Sequence, residues 1–343
     1  MLTELLHKLT RREDLTTDEA AAAMELVMTG QATPAQLAGL LVGLAMKGER
    51  PEEIVGFAQT MRAHAVQLSK SYDDVVDTCG TGGDRAGTVN VSTGAAIVLA
   101  AAGVRVAKHG NRSVSSRCGS ADVFEALGVT IAVPPAVVER SLEEAGIAFL
   151  FAPAFHPAMK HAAPTRRQLG LRTAFNLLGP LTNPARPRRQ IVGVPRPELT
   201  ELVARALLLL GSERAWVVHG ADGLDELSTT GYTKVSEAYQ GTVRTFHVHP
   251  ADFGIRKAPP DALVGGDAAH NAGLLRDVLN GAGGPVRDIV LLNAAAGLFV
   301  AGAVPSVRAG IDLASAAIDD GRASRTLARL VESTAAAEAE AGT

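Results

Sequence analysis

The sequence predicts an α/β protein in which a small all-helical N-terminal domain precedes a larger α/β domain with a mainly parallel central sheet. Three observations predict it. The first seventy residues carry helical periodicity and no strand pattern. From about residue 72 onward, short β-like runs alternate with helical ones, the signature of a parallel sheet. Apolar residues make up 47% of the 343 but aromatic residues only 4%, so Ala, Leu, Val and Gly supply the core, which favours helices packed on a sheet over a β-sandwich.

In chain order, Leu2, Leu5, Leu6 and Leu9 recur at helical spacing. Thr16 followed by Glu19 reads as a capping box that opens a second helix. Thr33, Pro34 and Gln36 open a third, whose apolar face is Leu37, Leu40, Leu41 and Leu44. Pro51 starts a fourth, striped by Ile54, Phe57, Ala58, Met61, Ala65 and Leu68. These make a helical domain over 1–70, completed by helices near 160–185, and residues 72–343 form the α/β domain. There, strands are predicted at 75–76, 104–107, 149–151, 190–194, 215–219, 233–239 and 242–248. Helices are predicted at 91–102, 121–127, 136–145, 198–210, 268–279, 289–301, 307–318 and 323–337, with residues 335–343 frayed.

The net charge of −3 argues against a general nucleic-acid coat. Lys160, Arg166, Arg167, Arg172, Arg186, Arg188 and Arg189 nevertheless crowd one stretch, which reads either as a solvated basic surface or as a site for a small anion. Two cysteines, Cys79 and Cys118, suit a reducing compartment and give no metal-binding set. The amphipathic start lacks a signal-peptide core, and the longest apolar run, 94–104, is too short to span a bilayer; a cytoplasmic protein with no membrane partner is expected.

Four segments carry chemistry. Asp77-Thr78-Cys79-Gly80-Thr81-Gly82-Gly83-Asp84 lies between a strand and a helix, where glycines let backbone N–H groups close around a phosphate. Thr88-Val89-Asn90-Val91-Ser92-Thr93 then sets polar groups at a helix start, which favours an anion. The alternative is an ordinary tight turn. Neither the P-loop nor the dinucleotide fingerprint is matched. Lys108-His109-Gly110-Asn111-Arg112-Ser113-Val114-Ser115-Ser116 follows the next strand and offers the density of donors a diphosphate needs. Asp222-Gly223-Leu224-Asp225-Glu226 presents adjacent carboxylates, suited to Mg²⁺ or to the first turn of a helix. Finally, His156 to Lys160, Pro164 to Gly170 and Asn176 to Pro184 set arginines beside apolar residues, which would suit an aromatic carboxylate or simply pack two domains together.

Together these segments resemble the anthranilate phosphoribosyltransferase family, over residues 3–335. Asp77 to Asp84, Lys108 to Ser116 and Asn176 to Pro184 match its signatures in order and spacing; Gly297 is a small departure away from the ligand loops. The resemblance implies a nucleoside phosphorylase/phosphoribosyltransferase-like fold and transfer of a phosphoribosyl group to anthranilate in tryptophan biosynthesis. It implies phosphoribosyl diphosphate contacts from Gly80, Gly83, Asp84, Thr88, Asn90, Val91, Ser92, Thr93, Lys108, His109, Gly110, Asn111, Arg112, Ser113, Val114, Ser115, Ser116 and Ser120. Anthranilate would contact Gly80, Asn111 and Arg166, and Ser92, Asp225 and Glu226 would hold Mg²⁺, two ions per subunit. A homodimer through the helical domain is also implied. No catalytic base is indicated beyond a weak claim for His109. Two rival readings are a pyrimidine nucleoside phosphorylase-like enzyme and a non-enzymatic relative that binds nucleic acid. The intact Lys108 to Ser113 segment and the Asp225-Glu226 pair oppose the first; the negative charge, Asn111 and Arg166 oppose the second.

Overall fold

The computed structural model describes residues 1–84, 87–113 and 117–341. Four helices open the chain, α1 (Leu2–Thr10), α2 (Thr17–Met28), α3 (Pro34–Lys47) and α4 (Pro51–Ala63). Capping boxes of Thr16 with Glu19 and of Thr33 with Gln36 start α2 and α3. Each satisfies two backbone N–H groups that the helix itself leaves unpaired. Glu53 is fully buried among these helices, where it accepts from Leu15 N at 2.8 Å and pairs with Lys47 at 3.0 Å.

The α/β part then runs β1 (Val76–Gly80), α5 (Val91–Ala101), β2 (Val106–Gly110), α6 (Ser120–Ala126), α7 (Pro135–Glu144) and β3 (Ile147–Phe151). Three short helices follow, α8 (Ala152–Phe155), α9 (Ala163–Leu169) and α10 (Phe175–Leu178). Next come β4 (Arg189–Gly193), α11 (Leu199–Leu209), β5 (Arg214–Gly220), β6 (Thr233–Tyr239) and β7 (Thr242–Val248). The chain closes with α12 (Ala268–Leu279), α13 (Pro285–Val300), α14 (Val307–Asp319) and α15 (Arg322–Ala341). One sheet has the order β3-β2-β1-β4-β5-β6-β7. The five strands β1 to β5 pair in parallel, and β6 and β7 extend the sheet antiparallel. Strand order reverses between β1 and β4, which opens a crevice at their carboxyl ends.

One face of the sheet is covered by α5, α12, α13 and α14, through residues such as Ile97, Leu275, Val290 and Ala317. On the other face a single apolar cluster runs from Leu5, Leu44 and Phe57 in the helical part through Leu178 to Val192, Val203 and Val217. α9 packs on α3, and α10 on α4.

The sequence pattern ends two strands too early. Expected to stop at residues 76 and 107, β1 and β2 run on to Gly80 and Gly110, so Asp77 and Lys108 are strand residues, not loop residues. Polarity hid them because the two strands satisfy their own buried polar groups. Asp77 accepts from the backbone N–H of His109 at 3.2 Å and from Asn183 Nδ2 at 2.9 Å, and Lys108 donates to the Thr78 carbonyl. The expected frayed end is likewise helical to Ala341, in a run of Ala and Glu that favours helix.

Candidate active site

The carboxyl ends of β1 and β2, the loop after β5 and the segment from α8 to α10 open onto one cavity of about 710 Å³. Its floor is where the sheet reverses. Close packing there requires glycine: the Asp225 carboxylate stands where a Cβ on Gly80 would be, and its backbone carbonyl stands where a Cβ on Gly193 would be.

One end of the cavity is built for an anion. The turn after β1 leads to Asn90 and to the first turn of α5, which carries the positive end of the helix dipole. Ser92 Oγ accepts from Lys108 Nζ at 3.2 Å. Lys108 is only 1% exposed, so its charge acts with little screening on whatever enters the cavity. Burial pushes the Asp77 carboxyl up to about 6, with Lys108 opposing the rise. Asn111 caps the strand end, accepting from Arg112 N at 2.7 Å, while the Arg112 guanidinium is held by Asp122 and Glu125.

Beside this end lie Asp225 and Glu226. Glu226 accepts from Ser92 N at 3.0 Å, and Asp225 from Gly82 N at 3.0 Å. Both carboxyls are pushed above the ordinary range, first by desolvation. Asp84 adds to the rise at Asp225, and Asp225 adds to it at Glu226. Among the described residues no group of three or more His, Cys, Asp or Glu side chains converges as a metal cage. Two crowded carboxylates with a neighbouring hydroxyl are too few ligands for a protein-only site but suit Mg²⁺, which keeps water and substrate oxygens in its shell.

The other end is apolar and aromatic, with one charge. Arg166 on α9 lies 4.8 Å over the Phe175 ring, and among the described residues no carboxylate pairs with it. Burial lowers its pKa, so the guanidinium stands partly desolvated and uncompensated, a state that an entering carboxylate relieves. Met61, Met159 and Phe175 supply apolar wall. His109 and His156 meet edge to face at 5.2 Å. The His109 Nδ1 faces the Gly179 carbonyl at 3.0 Å, and among the described residues neither histidine's buried Nε2 has a partner. Burial pushes His109 down to about 3 and His156 to about 4, so both rings are neutral near pH 7 and weakly basic.

Gly80, Gly83, Asp84, Thr88, Asn90, Val91, Ser92, Lys108, His109, Gly110, Asn111, Arg112, Ser113, Ser120, Arg166, Asp225 and Glu226 all line this cavity. Thr93 does not: its position in the first turn of α5 turns it inward, and it is fully buried. Val114, Ser115 and Ser116 lie outside the described residues. Polar lining residues that carried no individual assignment in the sequence include His156, Arg172 and Asn271. His156 and Arg172 fell within segments singled out for their basic and polar content; Asn271 sits in an ordinary amphipathic helix and gave no signal.

Residues 3–65 match the glycosyl transferase family, helical bundle domain, and residues 72–324 match the glycosyl transferase family, a/b domain. The chain is 53% identical to an anthranilate phosphoribosyltransferase of Moorella thermoacetica, over 96% of this chain and 98% of that one. It is similar to the crystal structure of the anthranilate phosphoribosyltransferase of Thermus thermophilus, with a TM-score of 0.91 and 46% identity over 96% of this chain and 98% of that one. A Saccharomyces cerevisiae anthranilate phosphoribosyltransferase in complex with PRPP and Mg has a TM-score of 0.89 and 28% identity, over 98% of both chains. With near-complete coverage at this identity, the chain belongs to the anthranilate phosphoribosyltransferase family.

Proposed function

We propose that this chain transfers the phosphoribosyl group of 5-phosphoribosyl 1-diphosphate to the amine of anthranilate, giving N-(5-phosphoribosyl)anthranilate and diphosphate in tryptophan biosynthesis. The observation that carries the reading is the cavity's polarity. A diphosphate-sized nest with Lys108 and the Asp225-Glu226 pair forms one end, and an uncompensated Arg166 over Phe175 forms the other. The gap between them is where the anomeric carbon and the amine would meet.

The chain's own part in the reaction is to bind, orient and neutralise. Gly80, Gly83, Asp84, Thr88 and Asn90 to Ser92 would hold the sugar diphosphate, with Lys108, Asn111 and Ser120 from the second strand end. Lys108 would stabilise negative charge as the diphosphate departs. Arg166 would pair with the anthranilate carboxylate, and Asn111 and Gly80 would meet its ring from the strand side, which fixes the amine toward the sugar. An aromatic amine is nucleophilic when neutral and needs no strong base. His109 lines the cavity, and its neutral ring is a weak acceptor for the proton released after attack. Ser92, Asp225 and Glu226 would hold Mg²⁺, two ions per subunit, which when bound neutralises the diphosphate and makes it a better leaving group.

We also take residues 1–70, with α9 and α10, as one domain and 72–343 as the other. A homodimer through the helical domain is part of the same reading; Met46, 73% exposed on α3, leaves apolar surface there to cover. Among the described residues no helix is long and apolar enough to cross a membrane. Two free cysteines support a reducing, cytoplasmic setting.

The test is loss of anthranilate fluorescence on adding phosphoribosyl diphosphate and Mg²⁺. Arg166→Ala should raise KM for anthranilate about 10- to 100-fold, the worth of one charge-assisted pair, and change KM for the sugar diphosphate far less. No turnover by the parent chain, or equal loss for both substrates in the variant, would refute the reading.

A further inference from the structure

Arg172 lies in the short segment between α9 and α10, just after Gly170, which ends α9 in the left-handed conformation, and the exposed Leu171. Its backbone belongs to the side of the cavity that carries Arg166. Its guanidinium crosses to the other side. Arg172 Nη2 donates to the Gly82 carbonyl at 2.8 Å. The second guanidinium nitrogen, Nη1, occupies the place where a Cβ on Gly83 would be, a residue with φ of +83°. On the opposite side, the Gly82 N–H donates to Asp225 Oδ2 at 3.0 Å. The Gly82 residue is therefore held from both directions, its N–H by a carboxylate and its C=O by a guanidinium.

This grip has a consequence fixed by peptide geometry. The Gly82 carbonyl and the Gly83 N–H share one planar trans peptide and point in opposite directions. Whatever holds the carbonyl sets the direction of that N–H. Glycine backbone is otherwise free to rotate, and a turn with Gly82 and Gly83 both at positive φ has no side chain of its own to hold it. A turn that must present N–H groups to an anion loses affinity if it has to be ordered on binding.

We infer that Arg172 is a positioning residue for the sugar diphosphate, reaching across the cavity to preset the Gly82–Gly83 turn against the Asp225 loop. The inference rests on the function proposed above. It assigns Arg172 to the sugar diphosphate rather than to the aromatic acid, although its backbone comes from the aromatic acid's side.

The test uses the full chain with Arg172→Ala and Arg172→Lys. It measures KM for each substrate at saturating Mg²⁺, calorimetric binding of Mg²⁺–phosphoribosyl diphosphate, and thermal unfolding. Arg172→Ala should weaken the sugar diphosphate about 10- to 100-fold in both KM and Kd, the worth of one charged hydrogen bond. KM for anthranilate should stay within about twofold, with an unchanged Tm. Arg172→Lys keeps the charge but cannot hold the Gly82 carbonyl and cover Gly83 together, so it should recover only part of the loss. Unchanged sugar diphosphate binding in Arg172→Ala would overturn the inference, as would equal weakening of both substrates with a lowered Tm. Absence of turnover in the parent chain would instead refute the proposed function, and the calorimetric comparison would still decide the role of Arg172.

Discussion

Asp225 and Glu226 sit side by side, half-buried, with Asp84 close enough to raise Asp225 further. Such crowding is unfavourable in the metal-free protein and is relieved by neutral side chains. Asp225→Asn with Glu226→Gln should therefore abolish most turnover, by about 100-fold or more, while Tm is held or raised. A double variant with normal turnover across Mg²⁺ concentrations would contradict the metal assignment. The two cavity histidines make a separate prediction. Their folded pKa values, about 3 for His109 and about 4 for His156, lie below the ordinary value near 6.5. Stability from keeping them neutral is present above that ordinary value and is lost as pH falls through it toward the folded values. Asp77, raised to about 6, acts with the opposite sign and offsets part of this loss. The stability lost between pH 7.5 and 5.0 should shrink by about 2 kcal/mol in His156→Gln, read by urea unfolding at both pH values. An unchanged difference would show that the ring titrates in the fold as it does in the unfolded chain. At this scale the sequence was most informative where residue type alone dictates chemistry: the glycines, Lys108, Arg166 and the acidic pair. It was least informative where a role depends on a partner far along the chain, as with Arg172 and Gly82, 90 residues apart.

α12 shows how an element outside the strand-end loops can hold the site in place. Asn271, 1% exposed, donates to Asn90 Oδ1 at 2.9 Å and accepts from Gly266 N at 2.7 Å. Asn90 in turn donates to the Cys118 carbonyl at 3.3 Å, so one helix steadies the segments on both sides of the anion end. Asn271→Ala should raise KM for the sugar diphosphate about tenfold and lower stability by about 1–3 kcal/mol, since it leaves half-buried partners unpaired. Kinetics and urea unfolding check both; a variant with parental KM would make α12 a purely structural support. Elements with regular patterns were legible. The β6–β7 hairpin falls at the predicted bounds, because Gln240 and Gly241, both at positive φ, form the two-residue turn that such strands favour. The carboxyl ends of β1 and β2 were not, because hydrophobic alternation stops where buried polar residues begin, and those residues form the site.

Across the whole molecule, the apolar cluster that runs from α1 through α4 and α11 to β4 and β5 has no seam between the helical part and the sheet. Leu44→Ala, at a fully buried position, should cost about 3 kcal/mol, and the protein should still unfold in one calorimetric transition. Two separate transitions would mean that the helical part melts independently. The architecture was legible because helical periodicity and strand–helix alternation are local. The assembly of the cavity was not, since Asn90 and Asn271 meet across 181 residues. The reversal of strand order between β1 and β4 has a last consequence, for the birth of the protein. The crevice it opens is walled by stretches from Met61 to Asn271, so a nascent chain still missing its last quarter has nothing complete to grip a substrate with. Substrate should then slow unfolding of the finished enzyme without hastening its folding, and translation must be nearly over before any metabolite can act as a chaperone.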